Sequence, residues 1–161
     1  MKTYYYGATD KQHIIDEATI VCRALGNGKT GKAIDLLLET AAAETQLGTY
    51  PDRSMQNGHG LCQVDNIAIK DLKTRTRTRH KEKIEFYLGI DFDTLTQHDI
   101  QTQPRAAFIF CRLHYILVPE YIPETLFERA NYWKKYYNTE AGKGTPVHFI
   151  KSAQAHLYQD E

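Results

Sequence analysis

Between Arg105 and Val118 the chain reads RAAFIFCRLHYILV, apolar on nearly every face of a helix. A surface helix gathers its apolar residues into one stripe, whereas a helix apolar all round has to be enclosed. Enclosing it obliges the remaining elements to wrap around one segment. In a chain of 161 residues that leaves room for a single domain with a single core.

The wrapping elements read as mostly helical. Thr9 or Asp10 caps a helix carrying Ile14, Ile15, Ala18, Val21, Cys22 and Leu25 at helical spacing, closed by Gly26. A second helix is expected from about Thr30 to Glu44, with Ile34, Leu37, Leu38 and Ala41 along one stripe. Helical patterns return over 66–73 and 80–88, and two more follow over 123–138 and 146–158, separated by GKGTP. Residues 45–65 hold glycines, a proline and no long apolar period, so they read as an extended loop or a small sheet. A long irregular stretch inside a compact domain is usually functional. The expected fold is all-α, with a small irregular or β-containing lobe around residues 45–65.

Several function classes find little support. Twenty basic residues balance twenty acidic ones, so the chain as a whole does not attract nucleic acid or an anionic membrane. No run is long enough to span a bilayer, and the first twenty-odd residues lack the apolar core of a secretory signal. Cys22, Cys62 and Cys111 are odd in number and far apart, which fits free thiols made in a reducing compartment. GNGKTGKA matches G-x-x-x-x-G-K from Gly26 to Lys32, but Ala33 stands where a magnesium-binding hydroxyl is needed, and a helix precedes the motif. A helix–helix turn is the better reading. RTRTRHKEK (Arg75 to Lys83) has no interleaved aromatics and reads as a solvated face, with weak attraction to an anionic wall polymer as the alternative. His59 and Cys62 form an H-x-x-C pair with no second ligand cluster nearby, so no metal and no cofactor is expected.

One residue is a candidate for chemistry, although standing alone it reads most simply as a solvent-facing glutamate at a helix end. Glu44 ends an apolar helix, where desolvation disfavours its charged form and raises its pKa towards neutrality, as a general acid requires. The helix C-terminus and the nearby Glu39 both act in the same direction. Downstream, NGHGLCQVD runs from Asn57 to Asp65.

Glu44-Thr45, then Ser54, then Gly60-Leu61-Cys62-Gln63 resemble the Glu-Ser, loop serine and G-L-M-Q pattern of the lytic transglycosylase and goose-type lysozyme superfamily. NGHGLCQVD is similar to the N-G-x-G-L-M-Q-V-D of goose-type lysozymes, with Cys62 in place of a core methionine. RAAFIFCRLHYIL and YYNTEAGKG follow in the order of that group's later helix and its A-Y-N-A-G element, so Tyr137-Asn138 match its Tyr-Asn. The likeness covers roughly residues 30–150 and looks closest to phage-encoded members.

The resemblance implies a lysozyme-like fold and cleavage of the β-1,4 bond between N-acetylmuramic acid and N-acetylglucosamine in peptidoglycan. Glu44 would protonate the leaving oxygen. As a transglycosylase, the ionised Glu44 would then take a proton from the muramoyl 6-hydroxyl, which closes to a 1,6-anhydro ring. As an inverting hydrolase, a second carboxylate about 6.5–9.5 Å away would hold water. Asp65 is the motif-supported candidate, with capping of the next helix as its structural alternative. Ser54 stands where goose-type lysozymes have another aspartate, which leans towards the transglycosylase; Asp52 lies close by. Ser54, His59, Gly60, Gln63, Tyr137 and Asn138 would form the sugar-binding wall, with packing the other reading for His59. The implied partner is a peptidoglycan glycan strand met by a monomer. The implied route is synthesis in a cytoplasm and delivery by a holin, a virion or a secretion machine. The rival from another class is a catalytically idle wall-binding or virion structural module.

Overall fold

A computed structural model describes residues 2–51, 58–139 and 142–159. Helices α1 (Lys11–Leu25) and α2 (Ala33–Thr45) come first, then a two-stranded antiparallel sheet of β1 (Gly58–His59) and β2 (Val64–Asp65). Helices α3 (Asn66–Arg75), α4 (Thr78–Leu88), α5 (Gln97–Thr102) and α6 (Pro104–Ile116) follow. Helices α7 (Leu126–Trp133) and α8 (Pro146–His156) complete the order. The fold is mainly helical with one small β-containing lobe, as the patterning indicates.

Helix α6 is the enclosed axis. Pro104, every residue from Ala106 to Leu113, and Tyr115 are buried, with α1, α2, α3 and α5 packed around them. Its one buried cation, Arg112, donates from Nε to the Gly26 carbonyl at 2.9 Å, which satisfies the end of α1. Arg105 grips Glu17 of α1 through Nε and Nη2 at 2.7 and 3.2 Å.

The first helix forms as its spacing requires. Of the two candidate caps, Asp10 serves: its Oδ1 accepts the His13 N–H at 2.8 Å. Gly26, at φ +97°, turns the chain away.

Helix α2 departs from expectation. A single apolar stripe was expected, but Leu36 through Ala43 are all buried, because α1, α6 and α8 pack around it. Two polar residues therefore need internal partners. Glu39 receives Arg129 Nε at 2.6 Å and Nη2 at 2.8 Å, and also the Tyr158 hydroxyl at 2.5 Å. Thr40 donates to Leu36 O and shares a hydrogen bond of 2.9 Å with the Tyr115 hydroxyl.

Two further differences concern the elements after the lobe. Helix α5 was not expected, since Ile100 is the only apolar residue in QHDIQT. A capping box holds it, with Thr96 accepting the Asp99 N–H and Asp99 accepting the Thr96 N–H. The single helix expected over 123–138 ends at Trp133 and continues as a wider π-helical turn, Lys134–Asn138. No helix among the described residues is long and apolar enough to cross a membrane.

Candidate active site

Glu44 is the penultimate residue of α2. Beyond it Gln46, Leu47 and Gly48 all adopt positive φ, so the chain turns sharply out of the helix. The carboxyl opens into a cleft of about 480 Å³, lined by Ala43, Glu44, Trp133, Asn138, Lys143 and His148 together with Gly142 and Gly144. Glu44 keeps part of its surface open to this cleft. Protein atoms nevertheless surround the carboxyl, and desolvation pushes its pKa from 4.5 up to about 7. The indole Nε1–H of Trp133 donates to Oε2 at 3.1 Å and opposes that rise. No guanidinium or ammonium is hydrogen-bonded to Glu44 among the described residues. The site therefore holds a carboxyl that exchanges its proton near neutral pH.

The opposite wall belongs to the segment after α7. Trp133 is 1% exposed, and its indole edge lies against Gly144; a Cβ there would sit 2.5 Å from Cη2. Gly142 similarly rests on Asn138, whose Oδ1 accepts from Lys134 Nζ at 2.7 Å. The same ammonium donates to Gly142 O at 3.0 Å, which binds the loop back onto the π-helical turn. His148, in the first turn of α8, is joined through Nε2 to Ala43 O at 2.9 Å. It thus ties the residue before Glu44 to the far wall.

The lobe is fastened to α2 by the residue after Glu44. Thr45 Oγ1 donates to Leu61 O at 2.8 Å and accepts the Gly48 N–H at 3.1 Å. Leu61 and Cys62 are fully buried. Tyr137 donates its hydroxyl to Cys62 O at 2.6 Å and stacks on Tyr115 with ring centroids 5.4 Å apart. The charge of Glu44 helps raise the pKa of Tyr137, Tyr115 and Cys62, all of which burial pushes up first.

The other sequence candidates occupy definite places. Gly60, at φ +74°, lies against α5: a Cβ would stand 2.1 Å from Ile100 O. Its N–H donates to Gln101 Oε1 at 2.8 Å, so the close approach this glycine permits is to protein backbone. Gln63, at φ +50°, folds its amide back to donate to Gly60 O at 3.0 Å and remains partly exposed. His59 Nε2 meets Asn66 Oδ1 at 2.7 Å. Asp65 caps α3, its Oδ1 accepting the Ala68 N–H at 2.7 Å. Tyr137 and Asn138 both stand in the turn beside Trp133. Ser54 and Asp52 lie outside the described residues.

Sequence reasoning missed Trp133 as the partner of the Glu44 carboxyl, and His148 and Lys143 as part of its cleft. A signal existed for the first: a lone tryptophan in a buried pattern needs an acceptor for its N–H. Comparison of the chain with protein-family models, with curated proteins and with solved structures finds no match.

Proposed function

We propose that this chain is a peptidoglycan-cleaving muramidase acting on the β-1,4 bond between N-acetylmuramic acid and N-acetylglucosamine, as a lytic transglycosylase. The observation that carries this reading is a carboxyl held at about 7 in an open cleft at the end of α2. At neutral pH such a group is populated both as an acid and as a base, and the reaction needs both.

Protonated Glu44 gives its proton to the glycosidic oxygen as the bond to the anomeric carbon breaks. The carboxylate left behind accepts the proton of the muramoyl 6-hydroxyl, whose oxygen bonds to the same carbon and closes the anhydro ring. Glu44 ends the cycle protonated, and no water is consumed. The Trp133 N–H steadies the carboxylate between the two transfers. Asn138, Lys143 and His148 line the cleft beside Glu44 and offer the polar groups that sugar hydroxyls and acetamides require. Hydrolysis would instead need a second carboxylate to hold water. Asp65 spends an oxygen on the Ala68 N–H and does not line the cleft, where Glu44 is the one carboxyl among the described residues.

Mass spectrometry of soluble products from purified peptidoglycan tests the proposal, with Glu44→Gln and Asp65→Asn in parallel. Products ending in anhydro-muramic acid are expected from the wild type and from Asp65→Asn. Losing the general acid should lower the rate by about 10²–10⁴-fold. Products carrying a new water, abolished by Asp65→Asn, would replace the transglycosylase with a hydrolase. Wild-type release no greater than that of Glu44→Gln would overturn the enzyme reading.

A further inference from the structure

The basic run Arg75–Lys83 exposes Arg75, Arg77 and Arg79, as a solvated face does, and buries His80 within it. Helix α3 ends at Arg75 and α4 begins at Thr78, and the corner between them borders a cavity of about 340 Å³. Arg75, Thr76, Arg77, Arg79 and His80 form its polar side, and Leu113 and Ile116 of α6, with Leu117 and Pro119 just beyond it, form its floor. No carboxylate lines it.

Three observations on this corner are independent. Thr76 is 8% exposed, and its hydroxyl is the one buried side-chain polar atom without a hydrogen-bond partner among the described residues. Leaving such a group unpaired is unfavourable, so an unpaired hydroxyl beside a cavity marks a place for a polar ligand atom. Helix α4, eleven residues long, has no side chain capping its first turn; the His80 and Lys81 amides bond to Arg77 O, which leaves those of Thr78 and Arg79 with capacity for an anion. Finally, the cations here are largely unspent. Arg75 pairs with Asp71 at 3.1 Å, but Arg77 and Arg79 have no acidic partner among the described residues. After burial, the groups that act on His80 are Arg79, Lys83, Arg77 and Arg112, all cations, and all hold its pKa down.

We propose that the α3–α4 corner is a binding site for a phosphate group, held by the Thr76 hydroxyl, the first-turn amides of α4 and the guanidiniums of Arg77 and Arg79. Guanidinium forks and helix N-termini both match the geometry and charge of a tetrahedral oxyanion. The floor of Leu113, Ile116 and Leu117 then accommodates the organic body of a phosphate ester. The site shares no lining residue with the Glu44 cleft and stands whether or not Glu44 is catalytic.

Calorimetric titration of the full chain with inorganic phosphate, and separately with glycerol phosphate, tests this at constant ionic strength set by sodium chloride. Saturable one-site binding is expected. Thr76→Val and Arg79→Gln should each weaken it by about tenfold, the effect of losing one hydrogen bond to a charged group. Thr76→Val removes no partnered group, so its fold should be at least as stable as wild type, and thermal melting checks this. Equal binding of the two probes identifies the phosphate alone as the ligand; tighter binding of the ester adds the apolar floor. Absence of saturable binding with both probes, or wild-type affinity in both variants, overturns the proposal.

Discussion

Replacing Glu44 by Gln should make the protein more stable at neutral pH, by an amount that vanishes in acid. The carboxyl moves from 4.5 to about 7 on folding, through burial. Between those values the native state holds a proton that the unfolded chain releases, so stability falls as pH rises through this window. At about 1.4 kcal/mol for each pH unit, the penalty at pH 8 is on the order of 3 kcal/mol. Partial opening of the cleft to water reduces it towards ~2 kcal/mol. Glutamine preserves the shape and still accepts the Trp133 N–H, but it has no charge to desolvate. Urea unfolding of both proteins from pH 4 to 8 gives the difference directly. Other titrating groups, such as the neutral-leaning His80 and His114, are common to both and cancel. The curves should coincide near pH 4 and separate by about 2–3 kcal/mol at pH 8, roughly 4–12 °C in melting temperature for a chain this long. A difference that stays constant across this range would mean the carboxyl ionises normally, and the chemical argument for Glu44 would fail with it.

Trp133→Phe removes the one hydrogen bond that holds the Glu44 pKa down, so the alkaline limb of any pH–rate profile on peptidoglycan should move to higher pH. A limb left in place would detach the indole from the acid. Gly60→Ala must relieve both a positive φ and a contact of 2.1 Å with Ile100 O, and should destabilise by about 2–4 kcal/mol in urea unfolding. Arg129→Met leaves Glu39 buried without its cation and should cost about 3–5 kcal/mol. Removing both charges together, as Glu39→Leu with Arg129→Met, should recover part of that loss. Thr45→Val breaks the bond to Leu61 O and the cap on Gly48, for an expected loss of about 1–3 kcal/mol in the same assay.

What could be read from the sequence was local. The enclosure of α6 follows from its own residues, and α1 carries its cap, stripe and closing glycine within one segment. Helix α5 was not legible because QHDIQT has no period; its stability comes from the Thr96–Asp99 box and from Ile100 packing under Gly60. The burial of α2 was half legible. Its alanines and leucines announced a core helix, but the partners that permit Glu39 inside, Arg129 and Tyr158, lie 90 and 119 residues away. The site divides in the same manner. Glu44 at the end of an apolar helix signalled its own desolvation. The indole that meets it, and the histidine that ties Ala43 to α8, come from residues whose spacing alone suggests core and helix surface. The capping role of Asp65 was legible beside its motif role, because an aspartate preceding a helix is a common cap.

Helix α2 carries two desolvated glutamates five residues apart, one buried and one half-buried, and their surroundings differ. Burial pushes the Glu39 carboxyl up, but Arg129 counters with two hydrogen bonds of its guanidinium, and Tyr158 adds a third. Such a group is a brace: both oxygens are occupied by Arg129 and Tyr158, and it lines no cleft found among the described residues. Glu44 meets the same desolvation with a single neutral donor and an open face. Had Trp133 been an arginine, the pair would have held Glu44 ionised and removed the acid. The left-handed turn at Gln46–Gly48 ends α2 one residue beyond Glu44. Glu44 is enclosed enough for its pKa to rise to about 7 and still keeps a face on the cleft.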